Sequence, residues 1–235
     1  MITLVGVGHV FEISEQVKGV IRSRHPEVVC LELDAGRYMT LVNRNAPRAI
    51  PLQYRLLAYF QKSMAEKFGT EVGDEMMAAA DAAKEIGAGL ALIDVDANRM
   101  FQELWRRMSF RERASLLGGA LFGLFIPKER VEAEVERYEN NADEYIKSMG
   151  EGFPVLKEVL IDDRNKHMAQ QLTVISQQHR NIVAIVGDGH IPGLLEALKG
   201  LEIEVVRLKD LRAGTPSVQQ THGAEHNVTY WYHYR

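Results

Sequence analysis

A single cysteine, Cys30, stands in this chain of 235 residues. No internal disulfide can form, so the fold must rest on packing alone. Cys30 sits inside an apolar run, where an inert core thiol is expected rather than a nucleophile. Such sparse cysteine use fits a reducing cytoplasm. Charge of one sign is also lacking: 28 Lys and Arg against 32 Asp and Glu leave a formal net charge of −4. That balance offers no reason to expect a nucleic-acid partner, which calls for a basic face. Long hydrophobic runs are missing too. The longest, Leu116 to Pro127, is too short to span a bilayer as a helix. It is expected to form a buried helix or hairpin with close glycine packing. The alternative is an apolar lip, homodimer surface or interfacial membrane contact beside the site. The first apolar stretch is short, has no basic leader and runs into a glycine turn, so neither a secretory signal nor a transmembrane segment is expected. Asn227-Val228-Thr229 then carries no meaning as a glycosylation acceptor. Neither a Gly-x-x-x-x-Gly-Lys-Ser/Thr nor a Gly-x-Gly-x-x-Gly run occurs, which disfavours a nucleotide binder.

What remains is ordinary in bulk, with 46% hydrophobic and 26% charged residues, enough for one large domain with a sizeable core. Its information is local. Two short copies of one element bracket the chain: Gly6-Val7-Gly8-His9 and Gly187-Asp188-Gly189-His190. Each follows an apolar, β-branched run, Ile2 to Val5 and Ile182 to Val186, so each reads as a buried strand ending in a glycine turn that presents a histidine. A third apolar run, Glu27 to Asp34, contains Glu32, a carboxylate that is costly to bury without a partner. In open α/β sheets, ligands gather at the carboxyl ends of strands. His9, Glu32 and His190 delivered to one such edge would make a three-ligand metal set with a position open for water. The bland reading of each Gly-x-x-His is a chain merely leaving its sheet through a glycine turn.

The pattern between these elements predicts an α/β fold. Ser14 is the expected cap of a helix carrying Val17, Val20 and Ile21 that ends before Pro26. A helix or turn follows from about Ala35. Residues 52–149 read as mostly helical, interrupted by Gly89 to Asp96 as a fourth buried strand; Lys128 to Lys147 reads as a solvated helix. A long helix is expected over Val155 to His179, a helix near Pro192, a strand over Ile203 to Leu208 and an aromatic edge strand in the tail from Val228. The linker 212–227 is read as mobile, with its His222 and His226 solvated. Together these give a single domain, 1–235, with a mixed sheet flanked by helices and a mostly helical insertion at about 52–149. On the helix after Val155, Leu156, Leu160, Met168, Leu172 and Ile175 form the apolar stripe, and Arg164 falls upon it. A buried arginine needs a carboxylate or an anionic ligand. It either pairs structurally with Glu32 or Asp94, or polarises a substrate carbonyl.

These residues carry a resemblance. Gly6-Val7-Gly8-His9-Val10, Val29 to Asp34 with Arg37, Gly73-Asp74-Glu75-Met76, Leu92 to Asp96, Leu160 to Ala169 and Val186 to His190 occur in the order found in the TraB/PrgY (pheromone shutdown) family, related to the Tiki metalloproteases and erythromycin esterases. The resemblance implies a divalent metal held by His9, Glu32 and His190, with manganese or cobalt favoured by the Tiki relatives where coordination chemistry alone suggests zinc. It also maps the family's late-helix arginine onto Arg164. Two departures stand out: Asp163-Arg164-Asn165 replaces the family's usual Glu-Arg-Asp, and Val95 stands where an arginine is usual. Longer archaeal members add C-terminal membrane helices, and a membrane role is not expected of this chain. The expected activity is metal-dependent hydrolysis of a peptide or a small amide or ester, with Arg164 steadying the oxyanion. Asp163 is the first candidate for the base, with Glu75 and Asp188 behind it. The rival is a module that sequesters a peptide without cleaving it.

Overall fold

The computed structural model of the chain describes residues 1–8, 13–43, 73–123, 147–148, 150–213 and 219–221. Its centre is a sheet in the order β3-β2-β4-β1-β5-β6. The strands are β1 (Ile2–Val7), β2 (Val28–Leu31), β3 (Gly89–Leu92), β4 (Ile182–Gly187), β5 (Ile203–Val206) and β6 (Gln219–Thr221). β1 to β5 are parallel, and β6 runs antiparallel along β5. The described helices are α1 (Ser14–Arg24), α2 (Ala35–Val42), α3 (Asp74–Ile86), α4 (Ala97–Arg107), α5 (Phe110–Gly123), α6 (Pro154–Lys157), α7 (Asp163–Ser176), α8 (Ile191–Ala197) and α9 (Leu208–Arg212). The chain is an α/β domain with a mixed sheet, as the pattern of strands and helices predicts.

The central strands read as continuous apolar runs because helices cover both faces of a parallel sheet. Alternate residues then divide between two cores. Val5, Val29, Leu31, Val183 and Ile185 join Val17, Ile21, Met76 and Ala79 from α1 and α3. Leu4, Cys30, Ala184 and Val186 join Met168, Leu172, Ile191 and Leu194 from α7 and α8. Cys30 is fully buried there, and burial pushes its thiol up to about 12.

Four expectations change. The strand at Gly89 is the exposed edge of the sheet rather than a buried strand, with Leu90 open to solvent. Part of the linker expected to be mobile, Gln219–Thr221, pairs with β5. Ser14 is the first residue of α1 and gives no side-chain cap. The long helix after Val155 is continuous to Ser176 but not uniform, with a π turn, Glu158–Asp162, between α6 and α7. Within 52–149, α3 packs on α1 and β3 pairs with β2; residues 52–72, 124–146 and 149 lie outside the described residues. So do the tail from Val228, Asn227, His222 and His226.

Candidate functional site

β1 and β4 lie side by side, with Val7 opposite Gly187. The chain passes from β1 to α1 on one face of the sheet and from β4 to α8 on the other. Neighbouring strands that hand the chain to opposite faces leave a crevice beyond their carboxyl ends, the usual ligand position in such sheets. Both glycine-histidine motifs belong to this pair of strands. Of the first, Gly6, Val7 and Gly8 are described and His9 lies outside the described residues.

The second motif is a 3₁₀ turn, Asp188–His190. Asp188 anchors it. The buried carboxylate accepts from Arg207 Nε at 2.9 Å and Nη2 at 2.7 Å, and from the Leu208 amide at 2.9 Å. Gly6 makes room for this anchor, since a Cβ there would stand 2.2 Å from Asp188 Oδ1. Asp188, a candidate base in the sequence, is therefore engaged in holding the turn.

Glu32 follows the last residue of β2, and its amide still bonds to Ile185 O at 3.0 Å. The alternation that sends Cys30 toward α7 and α8 sends Glu32 the same way. It is 5% exposed. Its Oε2 accepts from the Gly187 amide at 2.5 Å, while Oε1 pairs with Arg164 Nη2 and lies 3.4 Å from His190 Nε2. Burial pushes this carboxyl up, but the positive charges of His190 and Arg164, with the bonds from His190 and Gly187, outweigh it and hold the group well below the usual carboxylate range.

Arg164 carries the network outward. Its Nε and Nη2 reach Asp94 at 3.1 and 2.7 Å, and Nη1 donates to Leu160 O at 3.2 Å, a carbonyl of the π turn. Asp94 also pairs with Arg37, which reaches Asp34 at 2.6 Å. Asp34 caps α2 through the Arg37 amide and accepts from the Ala97 amide at the start of α4. Three carboxylates, Glu32, Asp34 and Asp94, thus face two guanidiniums, leaving one negative charge for the His190 side to balance.

His190 is equally specific. Its Nδ1 lies 2.7 Å from Asn165 Oδ1. A carbonyl oxygen only accepts, so Nδ1 carries a hydrogen, and Nε2 faces the Glu32 oxygen. Between two such acceptors a cation belongs: a proton, or a metal ion. Two ligands of one tetrahedral ion at bond lengths of about 2.0–2.2 Å stand about 3.3–3.6 Å apart, and the observed separation is 3.4 Å. With about four lone-pair positions on a carboxylate, the bonds from Arg164 and Gly187 leave Glu32 the capacity to ligate. Glu32 and His190 thus present two donor atoms at a separation that suits an ion pair or a shared ion. Among the described residues no group of three His, Cys, Asp or Glu gathers to hold one; Glu32 and His190 are the two that meet.

A cleft of about 420 Å³ opens on the outer side of Arg164, with Val95, Met100 and Val159 as its apolar wall and Asp163 and His167 beside them. Asp163 bonds to Arg107 at 3.1 Å and Lys166 at 3.4 Å. Glu75 is buried in the first turn of α3, on the sheet face opposite α7. Sequence reasoning missed three parts of the site. Asn165 follows the α7 stripe, three and four residues before Met168 and Ala169, so its burial was there to be read; its bond to His190 was not. The link from Arg37 to Asp94 and the Arg207 anchor join residues too far apart for any local pattern.

The profile of the TraB/PrgY/gumN family matches residues 1–207, and the chain belongs to that family. It is similar to the uncharacterized protein MJ1365 of Methanocaldococcus jannaschii, 32% identical over 215 residues that cover 86% of this chain and 54% of that protein. The chain thus spans about half the length of this relative. Among solved structures it resembles ChaN of Campylobacter jejuni, a protein that binds heme cofacially. That match has 13% identity, a TM-score of 0.39 and coverage of 88% of this chain and 80% of the other. Among the described residues no helix is long and apolar enough to cross a membrane.

Proposed function

We propose that this protein is a metal-dependent hydrolase of a peptide or a small amide or ester, with Glu32, His190 and His9 as its ligands. One observation carries the reading: Glu32 Oε1 and His190 Nε2 face each other at 3.4 Å at the carboxyl edge of the sheet. His9 is included because the described chain leading to it, through Gly8, leaves the strand next to β4. Manganese, cobalt or zinc bound there would supply an activated water and a polarised carbonyl. The chain's own residues do the rest. Asn165 fixes the His190 ring, Gly187 and Arg164 orient Glu32, and Arg164 brings a guanidinium to the floor of the cleft. Oriented there, it can stabilise negative charge as it develops on a substrate oxygen. Asp163, on the cleft wall, is the carboxylate proposed to take the proton.

A peptide-sequestering role is the second reading, and it has its own support. The cleft carboxylates are bonded already: Asp94 to Arg37 and Arg164, Asp96 to the Arg99 amide, Glu103 to Arg106 and Arg107, Asp163 to Arg107 and Lys166. Charged groups paired in this way can shape a binding cleft without taking a proton. The test is hydrolysis of a short-peptide library by wild type with manganese, cobalt or zinc, using Glu32→Gln as the blank. Turnover above the blank supports the hydrolase. Peptide and metal binding without turnover replaces it with the sequestering role.

A further inference from the structure

Asn165 is buried to 6% exposure in the first turn of α7, where a polar side chain must find partners or cost stability. Its Oδ1 holds His190 Nδ1 at 2.7 Å. Its Nδ2 rests on α8, in space that exists only because residue 193 has no side chain. A Cβ on Gly193 would stand 2.1 Å from Asn165 Nδ2 and 2.9 Å from its Cγ, but 3.5 Å from its Cβ. The backbone of Gly193 has no positive φ to explain the glycine. The reason lies in the contact: helices α7 and α8 meet closely here so that the amide of one can reach the histidine that starts the other.

We propose that Asn165 and Gly193 form one positioning device: Gly193 seats the Asn165 amide, and the amide fixes the His190 ring with Nδ1 protonated and Nε2 turned to Glu32. Outer partners of this kind set which histidine nitrogen is free to ligate, and their loss commonly costs ten- to a hundredfold in metal affinity. This proposal rests on the metal-site reading for its consequence, although the ring orientation can be measured without metal.

Two experiments separate them. In the metal-free protein, nitrogen-15 NMR of His190 should show a hydrogen on Nδ1 in a slowly exchanging bond. That signal should vanish in Asn165→Ala and Gly193→Ala and return in Asn165→Asp, whose oxygen also accepts. In titrations with Mn²⁺ alone, both alanine variants should bind roughly ten- to a hundredfold more weakly than wild type. The double variant Asn165→Ala/Gly193→Ala should be no weaker than Asn165→Ala, because without the amide the nearest atom to the new Cβ is 3.5 Å away, an ordinary contact. A His190 hydrogen on Nε2 alone, an unchanged Nδ1 signal in Asn165→Ala, or additive losses in the double variant would overturn the device. If wild type binds no Mn²⁺, Co²⁺ or Zn²⁺, the metal-site reading falls, and the NMR signals still decide the positioning.

Discussion

Glu32 and Arg164, 132 positions apart in sequence, form a largely buried ion pair at the carboxyl edge of the sheet, with Asp94 as the arginine's second partner. The pair joins the loop after β2 to the first turn of α7. An ion pair so placed gains little net stability over apolar groups of the same shape, yet removing one member is expensive.

Arg164→Ala should therefore destabilise the fold by about 3–5 kcal/mol, since it strands the carboxylates of Glu32 and Asp94. Arg164→Lys should lose less, because one ammonium can serve one carboxylate but not the fork that serves two. Urea unfolding of the two variants checks this. Equal stability of wild type and the alanine variant would refute the structural importance of the pair.

Glu32→Gln should keep the fold while losing about 1.5–3 kcal/mol, the range for a hydrogen bond to a charged group, because Arg164 retains Asp94. Its circular dichroism should match wild type, with the urea midpoint lowered.

Acid should unfold the protein. Burial tends to raise Asp34, but the side chain and amide of Arg37 and the Ala97 amide outweigh it, and the group is held below its ordinary value. Glu32 is held down likewise. A carboxylate depressed in the folded state contributes stability in full above its unfolded value, about 4, and loses it as pH falls through the folded value. Stability from these two groups should be flat from pH 7 to about 5 and decline below about 4. A profile that rises on acidification contradicts this assignment.

How much of this was legible in the sequence follows from the range of each interaction. The second strand-glycine-histidine element, the misplaced Glu32 and the arginine on an apolar stripe are local anomalies, and they mark His190, Glu32 and Arg164, which the fold brings to one edge. Periodicity could not show that β3 is an edge strand, because edge and central strands of a helix-covered sheet share the same apolar run. The π turn before Arg164 was hidden for a similar reason: α and π spacing differ by one residue over a single turn. The Asp188–Arg207 anchor and the Asn165 seat on Gly193 depend on side-chain reach across packed elements, which sequence spacing does not encode.

Gly6→Ala tests the anchor of the second motif. The added methyl would meet Asp188 Oδ1 at 2.2 Å and its Cα at 3.2 Å. Backbone cannot yield as a flexible side chain does, so a loss of about 1–3 kcal/mol is expected. Thermal unfolding measures it, and an unchanged midpoint would show that the turn is free to move.

Cys30 should be silent in the native state. With its thiol raised to about 12 by burial, almost no thiolate forms at neutral pH. A chromogenic disulfide reagent at pH 8 should find no reactive thiol until denaturant is added, and then one per chain. Rapid reaction of the native protein would place Cys30 at the surface.

The central claim is that Glu32 and His190 share one divalent ion. Metal content settles it most directly: protein purified without chelator, dialysed against limiting Mn²⁺, Co²⁺ or Zn²⁺, and analysed beside Glu32→Gln and His190→Ala. The account predicts close to one ion per wild-type chain and a loss of most of it in both variants, with folding intact by circular dichroism. Wild type without stoichiometric metal, or variants that keep it, would contradict the account.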